Sequence, residues 1–301
     1  MALPDALQST FAPLSQEAAS TAQLSWMLIA GATLLFVVVM LLAWVALRSR
    51  PRWLAHERAV IAGGIVVPVV LLTILLVYTT RQGAALAQDR AQALRVEVTG
   101  HQWWWRVRYL DGNGALDFET ANEIRLPVGQ RVELALRSAD VLHSFWVPNL
   151  AGKLDMIPGR TNRLSFTPTI AATSRGQCAE YCGGPHAQMA LYVVTSTADE
   201  FDRWRASQRK PAARADATFE NHCATCHAIR GSRALGTTGP DLTHVGSRVS
   251  IGAGTLPADA QELARWIASS QHIKPGNLMP SFTEFSAAEL AALAEYLASL
   301  R

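Results

Sequence analysis

Hydrophobic residues lie in two long runs near the start of the chain and in short alternating segments after them. Residues 24–47 and 59–80 are uncharged apolar runs, and each exceeds the roughly 20 residues that a helix needs to cross a bilayer. Soluble helices of this length usually carry a charged face. The pattern therefore predicts a transmembrane hairpin within an N-terminal segment of residues 1–92, with helices at about 24–47 and 59–81.

The short connection between the two runs is basic. It contains four arginines and one acid: Arg48, Arg50, Arg52, Arg58 and Glu57. Positively charged loops stay in the cytoplasm. We therefore expect both termini, and everything after Arg81, on the periplasmic face of a bacterial inner membrane.

After Arg81 the hydrophobic pattern changes to a period of two. Residues 94–98 and 103–110 alternate apolar and polar positions, and residues 111–114 supply a tight turn. Further short runs separated by Gly and Pro are residues 123–126, 132–136, 142–147, 163–166 and 190–195. Short strands at this spacing predict a β-sandwich or barrel for residues 93–197.

A turn-rich loop, residues 177–189, precedes the last predicted strand. Its two thiols, imidazole and thioether belong to Cys178, Cys182, His186 and Met189. These soft ligands together with imidazole favour copper. A blue-copper site uses a single Cys, so the two thiolates could instead bridge two copper ions. The second imidazole must then come from outside the loop, and His143 is the best candidate; a zinc site is the alternative.

The last part of the chain carries a second cysteine motif. Residues 198–215 are predicted to be a linker, followed by a domain of residues 216–301. The motif C-x-x-C-H, from Cys223 to His227, is the signature of covalent haem c attachment. Cys223 and Cys226 would share one helical face and bind the haem, while His227 would bind the iron.

The sixth iron ligand follows by elimination. Met279 is the only methionine after Met189, and Pro280 prevents a helix from continuing past it. Ligation by Met and His raises a haem potential. A bis-histidine site that uses His244 or His272 is the competing interpretation.

The loop of residues 177–189 resembles the dinuclear copper (CuA) motif of cytochrome c oxidase subunit II. The segments 100–105, 141–148 and 154–160 resemble further parts of that family, and with the hairpin the resemblance covers about residues 24–195. Residues 216–301 resemble a small class I cytochrome c, so the combination is similar to subunit II of caa3-type oxidases. The implied fold is a two-helix transmembrane hairpin, a cupredoxin-like β-sandwich and an all-α cytochrome c domain.

The resemblance implies how the copper ligands are shared. Cys178 and Cys182 would bridge both copper ions of CuA. His143 and His186 would each bind one of them.

The resemblance also implies weaker ligands and accessory roles. Met189 and the main-chain carbonyl of Glu180 would be axial copper ligands, and the Glu180 carboxylate would reach a Mg²⁺ at the contact with the catalytic subunit. Trp103 would receive electrons for the copper, although packing within a strand is the alternative. The carbonyl of Pro240 would accept a hydrogen bond from His227.

The implied function is that of an oxidase subunit. The chain would relay electrons from an external donor, through its own haem c and CuA, to a catalytic subunit that reduces O₂ and pumps protons. It offers no oxygen-reducing site of its own. The implied partners are subunits I and III and, as donor, a soluble or membrane cytochrome or an upstream cytochrome complex. A membrane-anchored electron carrier outside such a complex is the alternative, while a net charge of +3 without a basic stripe argues against nucleic acid.

Overall fold

The structure is a computed structural model that describes residues 8–49, 51–53, 56–86, 93–212 and 215–301, without the side chains of 84–86. Outside the described residues lie parts of the predicted N-terminal segment and linker and Arg50 of the basic loop. Contacts divide the chain into two compact units, Met1–Ala19 with Gln92–Arg301 and Ser20–Ala91.

The smaller unit consists of the predicted apolar helices. Its helical segments are α1 (Gln16–Ser49), α2 (Glu57–Ile61), a π-helical turn (Ala62–Val66) and α3 (Val67–Leu86). The π-helical turn ends just before Pro68, which has no N–H to offer a regular helical ladder. Two helical stretches are long and apolar enough to cross a membrane, with mean hydropathies of 2.7 and 2.9.

The larger unit begins with a sandwich of two five-stranded sheets. Its strands are β1 (Leu94–His101), β2 (Trp104–Leu110), β3 (Leu116–Ala121), β4 (Glu123–Pro127), β5 (Val132–Ser138), β6 (His143–Trp146), β7 (Leu154–Met156), β8 (Asn162–Phe166), β9 (Ala172–Cys178) and β10 (Ala190–Ser196). The sheet orders are β3-β2-β1-β5-β8 and β4-β10-β9-β6-β7. Alternate side chains such as Val96, Val98 and Leu134 are fully buried between the sheets, which confirms the predicted β-sandwich.

Strands β3, β7 and β9 were not predicted from the sequence. The inward-facing positions of β9 are occupied by Ser174, Gly176 and Cys178. These small side chains leave no apolar alternation to recognise. Gly176 is needed here because a Cβ at this position would lie 2.7 Å from Leu191 Cδ2 and 2.8 Å from Val147 Cγ2.

The residues around the start of α1 pack on the sandwich. Leu14 is buried in the sandwich core, its N–H donates to Asn149 O at 2.8 Å, and its carbonyl accepts from Thr169 N at 2.8 Å. Glu17 Oε2 accepts from Thr167 N, also at 2.8 Å. The chain therefore contributes to the sandwich both before and after the hairpin.

Residues 198–208 of the predicted linker form a helix, α4 (Ala198–Gln208). Thr197 and Glu200 close a capping box at its start. Phe201 and Trp204 then pack on the sandwich, with the Trp204 ring centroid 5.3 Å from that of Tyr109. Only two apolar residues of α4 make this contact, and the charged residues around them hide it in the sequence pattern.

Residues 217–301 form the predicted helical domain. Its elements are α5 (Ala217–His222), β11 (Ser250–Ile251), β12 (Leu256–Pro257), α6 (Ala260–Ile273) and α7 (Ala287–Ser299). Leu263 and Ile267 of α6 lie with Leu293 and Leu297 of α7 in one buried cluster with Phe219. The short β11–β12 ladder is an addition to the all-α architecture expected from the sequence.

Candidate metal centres

Neighbouring strands of one sheet place the thiol and imidazole donors together. Phe145 of β6 pairs directly with Cys178 at the end of β9, and His143 lies two residues before Phe145, so its side chain is on the same face. Residues 179–189 then connect β9 to its neighbour β10. The His143 ring packs over Gly100, where a Cβ would lie 2.8 Å from it.

The donor atoms lie at distances typical of ligands that share metal ions. Cys178 Sγ is 3.8 Å from both Cys182 Sγ and His143 Nδ1, and Cys182 Sγ is 3.4 Å from His186 Nδ1. Donors on one first-row ion, with bonds of about 2.0–2.3 Å, are separated by about 3.5 Å. Each thiol therefore has its own imidazole while facing the other thiol.

Two weaker donors complete this cluster. Met189 Sδ is 3.8 Å from Cys182 Sγ, and the Glu180 carbonyl is 3.1 Å from Cys178 Sγ. The cluster thus has one additional donor beside each thiol, a symmetry that suits two soft ions better than a single tetrahedral zinc. All six sequence-predicted copper ligands are brought together.

The electrostatics of the two thiols are unequal. The hydrogen bond between the two thiols lowers the pKa of Cys178, assisted by His143 and against the cost of burial. The same interaction, together with burial, raises the pKa of Cys182. Cys178 is therefore the first of the pair to become a thiolate, the form that binds metal.

Asp140 orients the deeply buried His143 and was missed from the sequence. Its Oδ1 lies 2.8 Å from His143 Nε2, and its Oδ2 accepts from Gln102 N at 2.7 Å. Burial opposes protonation of His143, but the contacts with Cys178 and Asp140 outweigh it and raise the pKa. A carboxylate on the outer nitrogen turns the inner nitrogen of an imidazole toward a metal.

Trp103 packs directly on the loop of residues 177–189, the copper loop. Its Nε1 donates to Cys182 O at 2.9 Å, and Gln102 Nε2 donates to the same carbonyl at 2.7 Å. Gly183 permits the contact, because a Cβ there would lie 2.8 Å from Trp103 Cζ2, and its φ of 117° disfavours other residues. The indole therefore contacts the backbone between the candidate ligands.

The helical domain surrounds a cavity of about 360 Å³. Cys223 ends α5, and a turn follows in which Cys226 N and His227 N both donate to Cys223 O. The two cysteines, His227 and Met279 all line the cavity. The thioether, imidazole and thiols expected for haem c thus face one apolar space.

The candidate axial ligands are held by specific neighbours. His227 Nδ1 donates to Pro240 O at 2.8 Å, which confirms the predicted contact. Pro240 comes this close because Gly239 has no Cβ; one would lie 2.6 Å from the His227 ring. Across the cavity, Trp266 Nε1 donates to Met279 Sδ at 3.2 Å.

The histidines considered as alternatives to Met279 lie elsewhere. His244 is buried and bonded to Lys210 O at 3.0 Å. Neither it nor His272 is among the described residues that line the cavity. The geometry therefore supports Met279 over a bis-histidine site.

Arg248 is a further cavity residue that the sequence did not indicate. It is buried and donates to Asp241 O, while its Nε has no partner among the described residues. An unpaired buried guanidinium N–H fits an anionic group such as a haem carboxylate. The wall of the cavity therefore accommodates both the apolar and the charged parts of a haem.

The sandwich closes one side of this cavity. Trp103 and Trp104 line it together with the haem-binding residues. Trp104 is itself held between two neighbours, with its ring 4.6 Å from that of His101 and 5.1 Å from the Arg106 guanidinium carbon. The copper loop and the cavity are thus separated by a layer of aromatic side chains.

Comparisons with known proteins identify two families along the chain. Residues 113–197 match the family described as cytochrome c oxidase subunit II, periplasmic domain, and residues 212–301 match the cytochrome c family. The chain is 36% identical over 252 residues to cytochrome c oxidase subunit 2 of Alkalihalophilus pseudofirmus, covering 78% of this chain and 71% of that protein. It is 32% identical over 256 residues to the Bacillus subtilis protein of the same name, covering 79% and 70%.

Among solved structures, the chain is similar to the periplasmic domain of subunit II of cytochrome oxidase from Bradyrhizobium japonicum. The identity is 30%, the TM-score is 0.37, and the match covers 39% of this chain and 94% of the other.

Proposed function

We propose that this chain, which belongs to the cytochrome c oxidase subunit 2 family, holds a dinuclear copper centre and a covalent haem c on opposite sides of Trp103. The chain is subunit II of a haem–copper cytochrome c oxidase, an oxidoreductase, and carries its own cytochrome c domain. Its function is to relay electrons from a donor to the catalytic subunit of the complex. A carrier outside an oxidase is not favoured, because the relatives are oxidase subunits.

We assign the copper centre to the donor cluster of the sandwich. Cys178 and Cys182 would be shared by the two ions, and His143 and His186 would each bind one. Met189 and the Glu180 carbonyl would be weaker ligands, and the Glu180 carboxylate would bind a Mg²⁺. When bound, the copper ions and the haem iron supply sites that accept and release one electron at a time.

We assign the haem to the cavity of residues 217–301. Cys223 and Cys226 would attach the haem covalently, and His227 and Met279 would bind its iron. Pro240 O fixes the orientation of the His227 ring and increases its basicity as a ligand. Arg248 accommodates a haem carboxylate.

The observation that carries the proposal is the position of Trp103. Its side chain lines the haem cavity, and its indole N–H bonds to the carbonyl of Cys182. One residue thus contacts both candidate centres. This supports electron transfer between the two groups of the same chain, with the external donor serving the cytochrome domain.

We further propose that the chain crosses a bacterial inner membrane twice and that both termini lie on its periplasmic face. Leu14 and Glu17, at the start of α1, bond to the sandwich, so the beginning of the first span and the sandwich share one face of the membrane. An even number of spans must then separate them. The basic loop containing Arg48 and Arg58 supports a cytoplasmic position for the connection.

Membership of the family implies a partnership with the catalytic subunit I. We propose subunit III as a further partner. A soluble or membrane cytochrome, or an upstream cytochrome complex, is proposed as the donor.

The test is replacement of one bridging thiol in the purified complex. Cys182→Ser should abolish the near-infrared absorption of CuA and leave the haem c spectrum intact, since Cys182 lies outside the haem cavity. Cys223→Ser is the matched control and should affect only the haem. An unchanged near-infrared band in Cys182→Ser would refute the copper assignment, and metal analysis of the wild-type complex checks the copper-to-haem ratio.

A further inference from the structure

The contact between the two redox domains contains a buried lysine, and burial lowers the pKa of its amine to about 7. Lys274 follows α6 in the cytochrome domain and is 2% exposed. Its Nζ donates to Trp103 O at 2.7 Å, to Gln188 O at 2.8 Å and to Gly252 O at 3.1 Å. An ammonium has three protons, so each is matched to one carbonyl. Such a lysine is not a surface charge for an external partner.

Two of those carbonyls belong to the copper-binding domain. Gln188 lies between the proposed ligands His186 and Met189, and its side-chain Nε2 donates back to Ile273 O at 2.9 Å. The residues before and at Lys274 therefore exchange hydrogen bonds with the copper loop. The other carbonyl belongs to Trp103, whose indole bonds to Cys182 O.

The segment after Lys274 leads directly to the haem cavity. A Cβ at Gly276 would lie 3.9 Å from the Trp103 ring, so the backbone passes over the indole. Three residues later, Met279 lines the cavity. A displacement of Lys274 would consequently move both Trp103 and the chain that carries the proposed iron ligand.

Other hydrogen bonds also join the two domains, among them one from Arg106 Nη2 to Thr237 O. Ala190 N donates to Ala253 O at 3.0 Å, Val249 N donates to Glu123 Oε2 at 2.7 Å, and Arg125 Nη2 donates to Ser247 O at 3.2 Å. Each of these bonds joins a single pair of groups. Lys274, by contrast, joins three backbone segments through one atom.

We propose that Lys274 is a positioning residue that fixes the cytochrome domain on the copper loop and so holds Trp103 between the haem cavity and Cys182. The proposal rests on the proposed function of the two sites. Hydrogen bonds from a charged donor are about twice as strong as neutral ones. Removing the ammonium takes this donor from the carbonyls of Trp103 and Gln188 in the sandwich, whereas Gly252 O keeps a bond from Thr255 Oγ1. The lost bonds are those that cross between the domains, so their removal favours separation of the two domains.

The test is the rate of electron transfer from photoreduced haem c to CuA in the purified oxidase complex. Lys274→Met keeps the length of the side chain but removes its donors, and Lys153→Met, at an exposed lysine of the sandwich, is the matched control. We expect the rate in Lys274→Met to fall about tenfold or more. The loss of one charged hydrogen bond shifts the docking equilibrium of the two domains by roughly this factor, and transfer requires the docked state. The rate should also become dependent on solvent viscosity, because domain docking would then limit it.

Two further readouts separate positioning from general damage. The haem c and CuA spectra of Lys274→Met should stay normal, while amide hydrogen exchange at Ala190 and Val249 should accelerate. A rate and an exchange pattern equal to those of Lys153→Met would overturn the proposal.

Lys274→Arg is the second variant and decides the matter if Lys274→Met does not assemble. It keeps the charge, but its planar fork cannot direct donors from one atom to three carbonyls. A slower transfer with normal spectra supports the positioning role, and an unchanged rate contradicts it. Absence of haem-to-copper transfer in the wild-type complex would instead refute the proposed function.

Discussion

The copper site and the haem site of this chain are built in different ways. The copper donors are attached to a finished sandwich, and His143, Cys182 and Met189 are all at most 3% exposed. The haem ligands instead lie on turns around a cavity of about 360 Å³, and Cys226 is exposed. Strand pairing places His143 next to Cys178 at the end of a packed sandwich, whereas the candidate haem ligands surround a space at the centre of their domain.

The largest expected effect tests this difference at the haem. Replacing both Cys223 and Cys226 by Ser removes the covalent attachment, so the cytochrome domain should lose haem and become sensitive to protease. The sandwich should remain resistant and retain its near-infrared copper absorption. Haem staining and limited proteolysis of the full chain measure both outcomes. Covalent haem in the double variant would contradict the attachment site, and simultaneous loss of the copper band would contradict the independence of the sandwich.

A smaller effect is expected when one iron ligand is changed. Met279→Leu conserves volume, so the haem should stay attached while the thioether–iron absorption band disappears and the reduction potential falls. Met156→Leu, at a fully buried position in the sandwich core, is the control and should leave both properties unchanged. An intact band in Met279→Leu would exclude this ligand and reopen the histidine alternatives.

The copper side is probed by adding a single methyl group. Gly183→Ala places a Cβ 2.8 Å from Trp103 Cζ2 at a φ of 117°, and such strained backbone costs about 1–3 kcal/mol. We expect a lower unfolding midpoint of the sandwich, measured by calorimetry, and slower transfer from haem c to CuA. Gly184→Ala is the neighbouring control, because nothing lies within 4 Å of its Cβ position. Equal midpoints for the two variants would show that Trp103 does not need this glycine.

The smallest expected effect is a pH dependence in the aromatic layer. Burial, assisted by Arg106, lowers the pKa of His101 to about 4 from its ordinary 6.5. Between these values the unfolded chain binds more protons than the folded one, so stability should decrease as pH falls from 6.5 toward 4. In His101→Gln the midpoint of thermal unfolding should depend less on pH across this window. In His56→Gln, at an exposed loop position, the pH dependence should stay as in the wild type. A wild-type slope in His101→Gln would assign the effect to other groups.

Much of the fold could be predicted from the sequence, and the side chains predicted as copper and haem ligands do lie together in the structure. Two uninterrupted apolar runs are sufficient for the hairpin, and residue type with spacing identifies Cys178, Cys182, Cys223 and Cys226. The hydrophobic pattern did not predict strands whose buried positions are occupied by small side chains. Ser174 and Gly176 of β9 carry no hydrophobic signal, and the apolar contacts of Phe201 and Trp204 are surrounded by charge.

The residues that support the sites were harder to predict, because their partners are distant in the sequence. Lys274 bonds only to backbone carbonyls, which any residue type supplies. Asp140 could have been suspected from its position three residues before His143, but a carboxylate in a loop is also common without such a role. The proposed role of Arg248 as a partner of a haem carboxylate depends on its position in the cavity wall, which the sequence does not reveal.

The contact of Leu14 and Glu17 with the sandwich also imposes an order on biogenesis. The hydrogen-bond partners of Leu14, Asn149 and Thr169, are synthesised only after both apolar helices. In the proposed topology, the sandwich can therefore finish folding only when the segment ahead of the hairpin and the segment behind it have reached the same compartment. If one helix were inserted in the opposite direction, the segment containing Leu14 and Glu17 could not reach the sandwich. The sandwich would then be incomplete, so only the correct topology gives a fully folded domain.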